Sequence, residues 1–182
     1  MEYILKRSSR KTLSIEVRGT DVIVRAPYTC SRKRIEQFAA EHEAWAVKKL
    51  AQNMESIREA GRAGLLSDRE LKLLAAKARE YIPQRVEYYA KIIGVSFGTV
   101  TIRCQRTKWG SCTSKGNLNF NCLLMLAPPE VVDSIVVHEL CHRKEMNHSE
   151  RFYSEVRKAF PEYDKWHKWL KENGGAIMAR VR

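Results

Sequence analysis

The sequence predicts an α+β protein, with a small antiparallel sheet packed on helices and, ahead of it, a lobe made of a β-hairpin and a helix. Two observations predict this. Strand-like stretches occur as two pairs, within residues 13–26 and 99–123: three alternate apolar and polar residues, the period of two that marks half-buried strands, and the fourth, at residues 22–26, is β-branched. The segments that follow each pair carry apolar residues at the spacing of amphipathic helices. A chain of 182 residues, 44% hydrophobic and 30% charged, is long enough to bury a substantial core with one accessory lobe.

In chain order, Leu13-Ser14-Ile15-Glu16-Val17 and Val22-Ile23-Val24-Arg25-Ala26 flank Arg18-Gly19-Thr20-Asp21 and read as a β-hairpin. Pro27 stops the second strand, and Ser31 offers an N-cap for a helix reaching to about residue 54, with Ile35, Phe38, Trp45 and Leu50 near one side. His42, alone on that helix, reads as a surface or core residue. Gly61 and Gly64 mark a connector at residues 59–64, so the expected division is a lobe at 1–62 and the main core at 63–182.

Ser67-Asp68-Arg69-Glu70 has the form of a capping box. Leu71, Leu74, Ala78, Ile82, Val86 and Tyr89 keep helical spacing to about residue 93, with Pro83 predicting a kink or break. Thr99-Val100-Thr101-Ile102-Arg103-Cys104 and Asn117-Leu118-Asn119-Phe120-Asn121-Cys122-Leu123 then alternate and are expected to pair antiparallel. Between them lies a basic, acid-free loop, Arg106-Thr107-Lys108-Trp109-Gly110-Ser111-Cys112. Trp109 there serves equally well as a lid on the core or as the border of a substrate cleft.

Pro128 and Pro129 suit a helix entrance. From Glu130, Val132, Val136 and Leu140 bury one face of the next helix, while Ile135, His138 and His142 share another. Asn147 tolerates the left-handed conformation and is expected to end that helix. Ser149 caps a further helix with Phe152, Val156 and Phe160 inward; Pro161 interrupts it. A last helix with Tyr163, Trp166, Trp169 and Leu170 is expected to stop at Gly174-Gly175, leaving a loose basic tail. His167 reads there as a packing residue.

The chemistry concentrates in His138-Glu139-Leu140-Cys141-His142, followed by His148. On a helix, His138 and His142 project from one face and share one metal ion. His148 supplies a third ligand while a fourth position stays open, and Glu139 stands beside them to activate water. With 5 His and 17 Glu in 182 residues, a chance HExxH is expected on the order of one per cent of the time. Zinc suits three imidazoles with an open position, and nickel, cobalt or iron are not excluded by the donor set. In the expected mechanism Glu139 takes a proton from the water, hydroxide attacks a metal-polarised carbonyl, and the proton passes to the leaving amine. Cys141 points about 100° from His142 on a helix and is not counted as a ligand. Tyr153 and Arg106 are candidates for stabilising the oxyanion, and Trp109 for touching substrate.

Five cysteines without a CxxC pair indicate neither a disulfide framework nor a zinc ribbon. No apolar run approaches a membrane span, and the first residues lack the order of a signal peptide, so a cytoplasmic protein without a membrane partner is expected. The net charge of +12 admits nucleic acid, nucleotides or acidic proteins as partners. Residues 98–128 contribute four basic groups and no acidic one.

The third histidine follows the second at the metzincin spacing, but Glu145 stands where metzincins have glycine. The sequence resembles instead the YgjP-like family of predicted zinc-dependent metallopeptidases, related to the WLM and SprT-like groups. The elements that carry the resemblance are Arg106-Thr107-Lys108-Trp109-Gly110-Ser111-Cys112, the strand at 117–121, Pro128, Val136-Val137-His138-Glu139-Leu140-Cys141-His142, Asn147-His148-Ser149 and Phe152. The resemblance implies a zincin-like α+β fold, zinc on His138, His142 and His148, Glu139 as base, and a peptide or protein substrate. Two other functions stay open: a metal-dependent nucleotide pyrophosphatase, with Arg103, Arg106 and Lys108 on phosphates, and a SprT-like, nucleic-acid-associated protease or binding module.

Overall fold

A computed structural model describes residues 1–181 as two compact units, Met1–Ala63 and Gly64–Arg182. In the first, strands β1 (Ile4–Ser8), β2 (Ser14–Arg18) and β3 (Asp21–Pro27) form a sheet in the order β1-β3-β2. The predicted hairpin is present as antiparallel β2 and β3, turned at Gly19 with φ +57°. Parallel β1 has no counterpart among the expectations. Its Ile4, Leu5 and Lys6 are all exposed, so it carries no alternating signature. Val24 and Ala26 of β3 pack on Ile35 and Ala39 of helix α1 (Arg32–Glu41).

Ser31 caps α1 as expected, its hydroxyl accepting from Arg34 N–H at 3.3 Å. The single helix expected over 31–54 is two helices. His42 leaves the helical conformation (φ −108°, ψ 6°), and its Nδ1 lies 2.8 Å from the Phe38 carbonyl, a local bond that ends α1. Helix α2 (Glu43–Ala63) then runs through the expected connector and stops only at Gly64, φ +76°.

The second unit begins with helix α3 (Asp68–Ile93), whose Ser67 and Glu70 form the reciprocal capping box and whose C-cap is left-handed Gly94. Pro83 does not break it. A proline inside a helix costs about 3 kcal/mol, whereas each fully buried aliphatic side chain stabilises by roughly 1.5–3 kcal/mol, and Ile82 and Val86 beside it are both fully buried.

Strands β4 (Val100–Arg103), β5 (Gly110–Cys112) and β6 (Leu118–Asn121) form a mixed sheet in the order β4-β6-β5. The antiparallel pairing expected between the two long strands is corrected: β4 runs parallel to β6, with Val100 opposite Leu118. The chain reverses twice because Gly110-Ser111-Cys112 of the basic loop is itself a strand, antiparallel to β6. Alternation reports which face of a strand is buried, not its direction. After a 3-10 turn at Cys122–Leu126 come α4 (Pro129–Cys141), α5 (Glu150–Ala159) and α6 (Tyr163–Ala179).

Helix α6 continues past the expected stop at Gly174-Gly175. A Cβ on Gly174 would lie 3.0 Å from the Trp109 indole, so this glycine serves close packing within the helix. The expected loose tail is also corrected. Leu66 N–H donates to the Arg180 carbonyl and Arg180 Nε to the Gly64 carbonyl, both at 2.9 Å, and Val181 is buried. Arg85 on α3 forks onto Asp133 of α4 with two 2.7 Å bonds, and Tyr89 adds a third at 3.2 Å. Among the described residues no helix is long and apolar enough to cross a membrane.

Candidate metal centre

Helix α4 is apolar over most of its surface, and residues 131–137 are all buried. This burial holds its C-terminal turn rigidly against the sheet, and that turn carries His138, Glu139 and His142. The helix ends at His142, before the expected stop at Asn147. Arg143 N–H bonds to the Leu140 carbonyl, and the N–H groups of Lys144 and Glu145 both bond to that of Cys141, at 2.9–3.0 Å. These turns reverse the chain without a left-handed residue: among the described residues only glycines have positive φ. Ser149 then caps α5, accepting from Phe152 N–H at 3.3 Å, and His148 sits just before that cap.

The three histidines converge. Their ring centroids are 4.8–5.0 Å apart, and their ligand atoms all lie within 4.8 Å of one another. His148 Nε2 is 3.0 Å from His138 Nε2. Tetrahedral zinc with Zn–N bonds of about 2.0–2.1 Å needs nitrogens roughly 3.3 Å apart, so the donor set fits such an ion with small adjustments. The fully buried Phe152 ring lies 4.6–4.9 Å from all three imidazoles and forms an apolar floor beneath them.

The opposite ring nitrogens are engaged. His142 Nδ1 is 3.1 Å from the Glu145 carbonyl, and His138 Nδ1 is 2.9 Å from the Tyr163 hydroxyl. Burial, reinforced by the neighbouring imidazoles, pushes the His138 pKa down to about 3; burial also lowers that of His142, against the pull of the Glu145 carbonyl. Both rings are thus neutral near pH 7, the form that ligates a metal.

Glu139 points from α4 onto β5 and is only 6% exposed. Burial pushes its pKa up to about 7, opposed by the Lys108 charge and by the Cys112 N–H. The approach requires glycine on the strand: a Cβ at Gly110 would lie 2.7 Å from Glu139 Cγ and Oε1. Trp109 and Thr113 direct their backbone groups to β6 through bonds to Asn121 and Asn117. By alternation, Gly110 and Cys112 present theirs on the outer edge, toward Glu139.

Of the remaining candidates, Tyr153 is near the centre, its ring 6.2 Å from that of His148, with the Arg157 guanidinium 5.7 Å above it. The Trp109 indole packs on Gly174 and the core. Arg106 is exposed, and the basic-loop charge that acts on Glu139 is that of Lys108. Cys141 is buried, with its thiol pKa raised to about 12. Sequence reasoning missed Gly110, Tyr163, His167 and Asn121. The Asn121 side chain, 1% exposed, donates to the carbonyls of Gln105 (2.7 Å) and Lys108 (2.9 Å) and accepts from Leu123 N–H (3.1 Å), holding the loop that leads into β5. A polar residue on an otherwise buried strand was the available signal.

The profile of the YgjP-like metallopeptidase domain matches residues 65–173, which is more than half of the chain. The chain belongs to the YgjP-like family. This YgjP-like domain takes in every residue of the centre described above, and membership implies a metal cofactor and a peptide or protein substrate. Among solved structures, the metallopeptidase zymogen of Pyrococcus abyssi abylysin is similar at 24% identity and a TM-score of 0.45, covering 50% of this chain and 93% of that one. The metallopeptidase zymogen of Methanocaldococcus jannaschii jannalysin is similar at 22% and 0.45, covering 50% and 94%. No match is found among curated proteins.

Proposed function

We propose that this chain is a zinc-dependent metallopeptidase in which His138, His142 and His148 hold one zinc ion and Glu139 is the catalytic base. The observation that carries the reading is the joint placement of three imidazoles within 4.8 Å of one another and a buried carboxyl group on the next residue of the same helix. When bound, zinc supplies Lewis acidity, lowering the pKa of water toward neutrality and polarising a carbonyl. Glu139, with a pKa raised to about 7, takes the proton from water at its carboxylate and returns it to the leaving amine. The Cys112 N–H orients that carboxylate. The outer edge of β5 is the surface on which an extended peptide adds as a further strand, next to Glu139. Tyr153, beside His148, is the side chain assigned to the developing oxyanion, while Trp109 packs on the core and Arg106 is exposed on the loop that leads into β5.

The test is Glu139→Gln, assayed on a quenched-fluorescence peptide pool with metal content measured in parallel. Loss of general-base catalysis is expected to lower kcat by about 10²–10⁴-fold, with zinc held at the wild-type stoichiometry. Undiminished cleavage at full zinc occupancy refutes the assignment. Pyrophosphate release from nucleoside triphosphates, with no peptide cleaved, replaces the peptidase by a phosphoanhydride hydrolase.

A further inference from the structure

The first turns of α6 bring two side chains to the metal centre that the mechanism leaves unused. Tyr163 is 1% exposed, and its hydroxyl lies 2.9 Å from His138 Nδ1 and 3.3 Å from His167 Nδ1. The three rings are nearly parallel, with interplanar angles of 21° and 20°. Tyr163 and His167 are four residues apart on one helix and therefore share a face.

The direction of the hydroxyl proton decides whether His138 can serve as a ligand. A phenol donates one proton and accepts others, and a neutral imidazole carries its proton on one nitrogen only. If Tyr163 donates to His138 Nδ1, the imidazole proton sits on Nε2, where it blocks the nitrogen that faces His148 Nε2 at 3.0 Å. If Tyr163 accepts from His138 Nδ1–H, Nε2 is left with a free lone pair. His142 does not face this ambiguity, because its Nδ1 partner is the Glu145 carbonyl, which only accepts. A phenol needs a second acceptor to commit its proton elsewhere, and His167 Nδ1 stands in that place.

We propose that Tyr163 and His167 are positioning residues for the metal centre, a relay in which His138 Nδ1–H donates to Tyr163 and Tyr163 O–H donates to His167 Nδ1, holding His138 in its metal-ligating tautomer. The proposal rests on the metal-centre reading above. It assigns to a neutral phenol the role that carboxylates and backbone carbonyls commonly play behind metal-bound histidines.

The experiment has two arms. In the metal-free wild-type protein at neutral pH, long-range 1H–15N spectra are expected to show His138 protonated on Nδ1 with Nε2 bare, and Tyr163→Phe is expected to shift it toward a mixture of tautomers. In chelator competition, Tyr163→Phe is expected to weaken zinc binding by about 10–100-fold. His167→Phe, which keeps a ring on the Tyr163 face but offers no acceptor, is expected to weaken it in the same direction. Denaturation of the metal-free variants controls for packing and is expected to change little. An Nε2–H tautomer of His138 in the wild type overturns the proposal, as does zinc affinity within twofold of wild type in Tyr163→Phe. Absence of metal binding by the wild type overturns the underlying reading instead, and the tautomer measurement distinguishes the two failures because it needs no metal.

Discussion

Gly110→Ala tests whether β5 holds the Glu139 carboxyl group, the proposed catalytic base, in place. Gly110 lies outside the left-handed region, so alanine carries no backbone strain there and the added methyl group is the whole perturbation. That methyl would sit 2.7 Å from Glu139 Cγ and Oε1 and 3.0 Å from Cδ. Ordinary carbon contacts begin near 3.4 Å, so Glu139 or the strand must give way by about 0.7 Å. The α4 backbone is locked by burial on both sides, and the carboxylate is the movable part. A displacement approaching 1 Å at a reacting group costs up to about 10²-fold in rate. The expected outcome is a fall in kcat/KM of about 10–100-fold on the peptide that the wild type cleaves. Zinc stoichiometry is expected to hold, because the clash involves none of the three histidines. Overpacking is expected to lower stability by about 1–3 kcal/mol at most. Peptide kinetics, metal analysis and urea denaturation on one preparation separate these effects. Unchanged kcat/KM would refute the argument that contact with the strand positions Glu139.

Asn121→Ala removes, from a buried position, the amide that satisfies two loop carbonyls and the N–H groups of Gln105 and Leu123. The groups left unpaired are expected to cost about 2–3 kcal/mol in denaturant titrations, and a loss under 0.5 kcal/mol would show that the loop needs no such clamp. At alkaline pH, Tyr89 governs part of the stability profile. Burial, followed by the Asp133 charge, raises its pKa to about 12, whereas an unfolded tyrosine ionises near 10. The unfolded chain therefore loses the proton first, and this share of the stability, present in full below pH 10, is lost between 10 and 12. At about 1.4 kcal/mol per unit it amounts to roughly 2–3 kcal/mol at most. Tyr89→Phe is expected to flatten that part of the curve, and an unchanged alkaline slope counts against the assignment.

Local signals were the legible ones. Ser31, Ser67 with Glu70, and Ser149 each cap the helix expected of them, because an N-cap is a contest among neighbouring backbone groups that the local residue types decide. His138 and His142 fall on one helix for the same reason. Strand direction was not legible. Both long strands alternate, but whether they run parallel depends on Gly110-Ser111-Cys112 forming a strand between them, and this segment has no β-branched residue to announce it. The end of α6 is not legible locally: a glycine pair looks like a stop, while Gly174 is set by the Trp109 ring 65 residues earlier. Gly110 and Tyr163 were hidden likewise: each matters through a contact far away in sequence.

The same division between local and distant causes explains how an exposed histidine joins two more sheltered ones. His148 is itself outside any helix and is exposed. Its position follows from its neighbours: bonds from three consecutive N–H groups close the end of α4, the Ser149 cap starts α5 one residue later, and the buried Phe152 fixes the axis of α5 under all three rings. The Lys144–Glu155 ion pair at 2.6 Å spans the turn, but an exposed pair is worth little, so the caps and Phe152 carry the placement. Each ordered backbone residue costs roughly 1–2 kcal/mol of conformational entropy. A turn ordered in this way meets that cost during folding, leaving less to be met when a metal binds. The consequence is a centre with one exposed imidazole and two more sheltered ones.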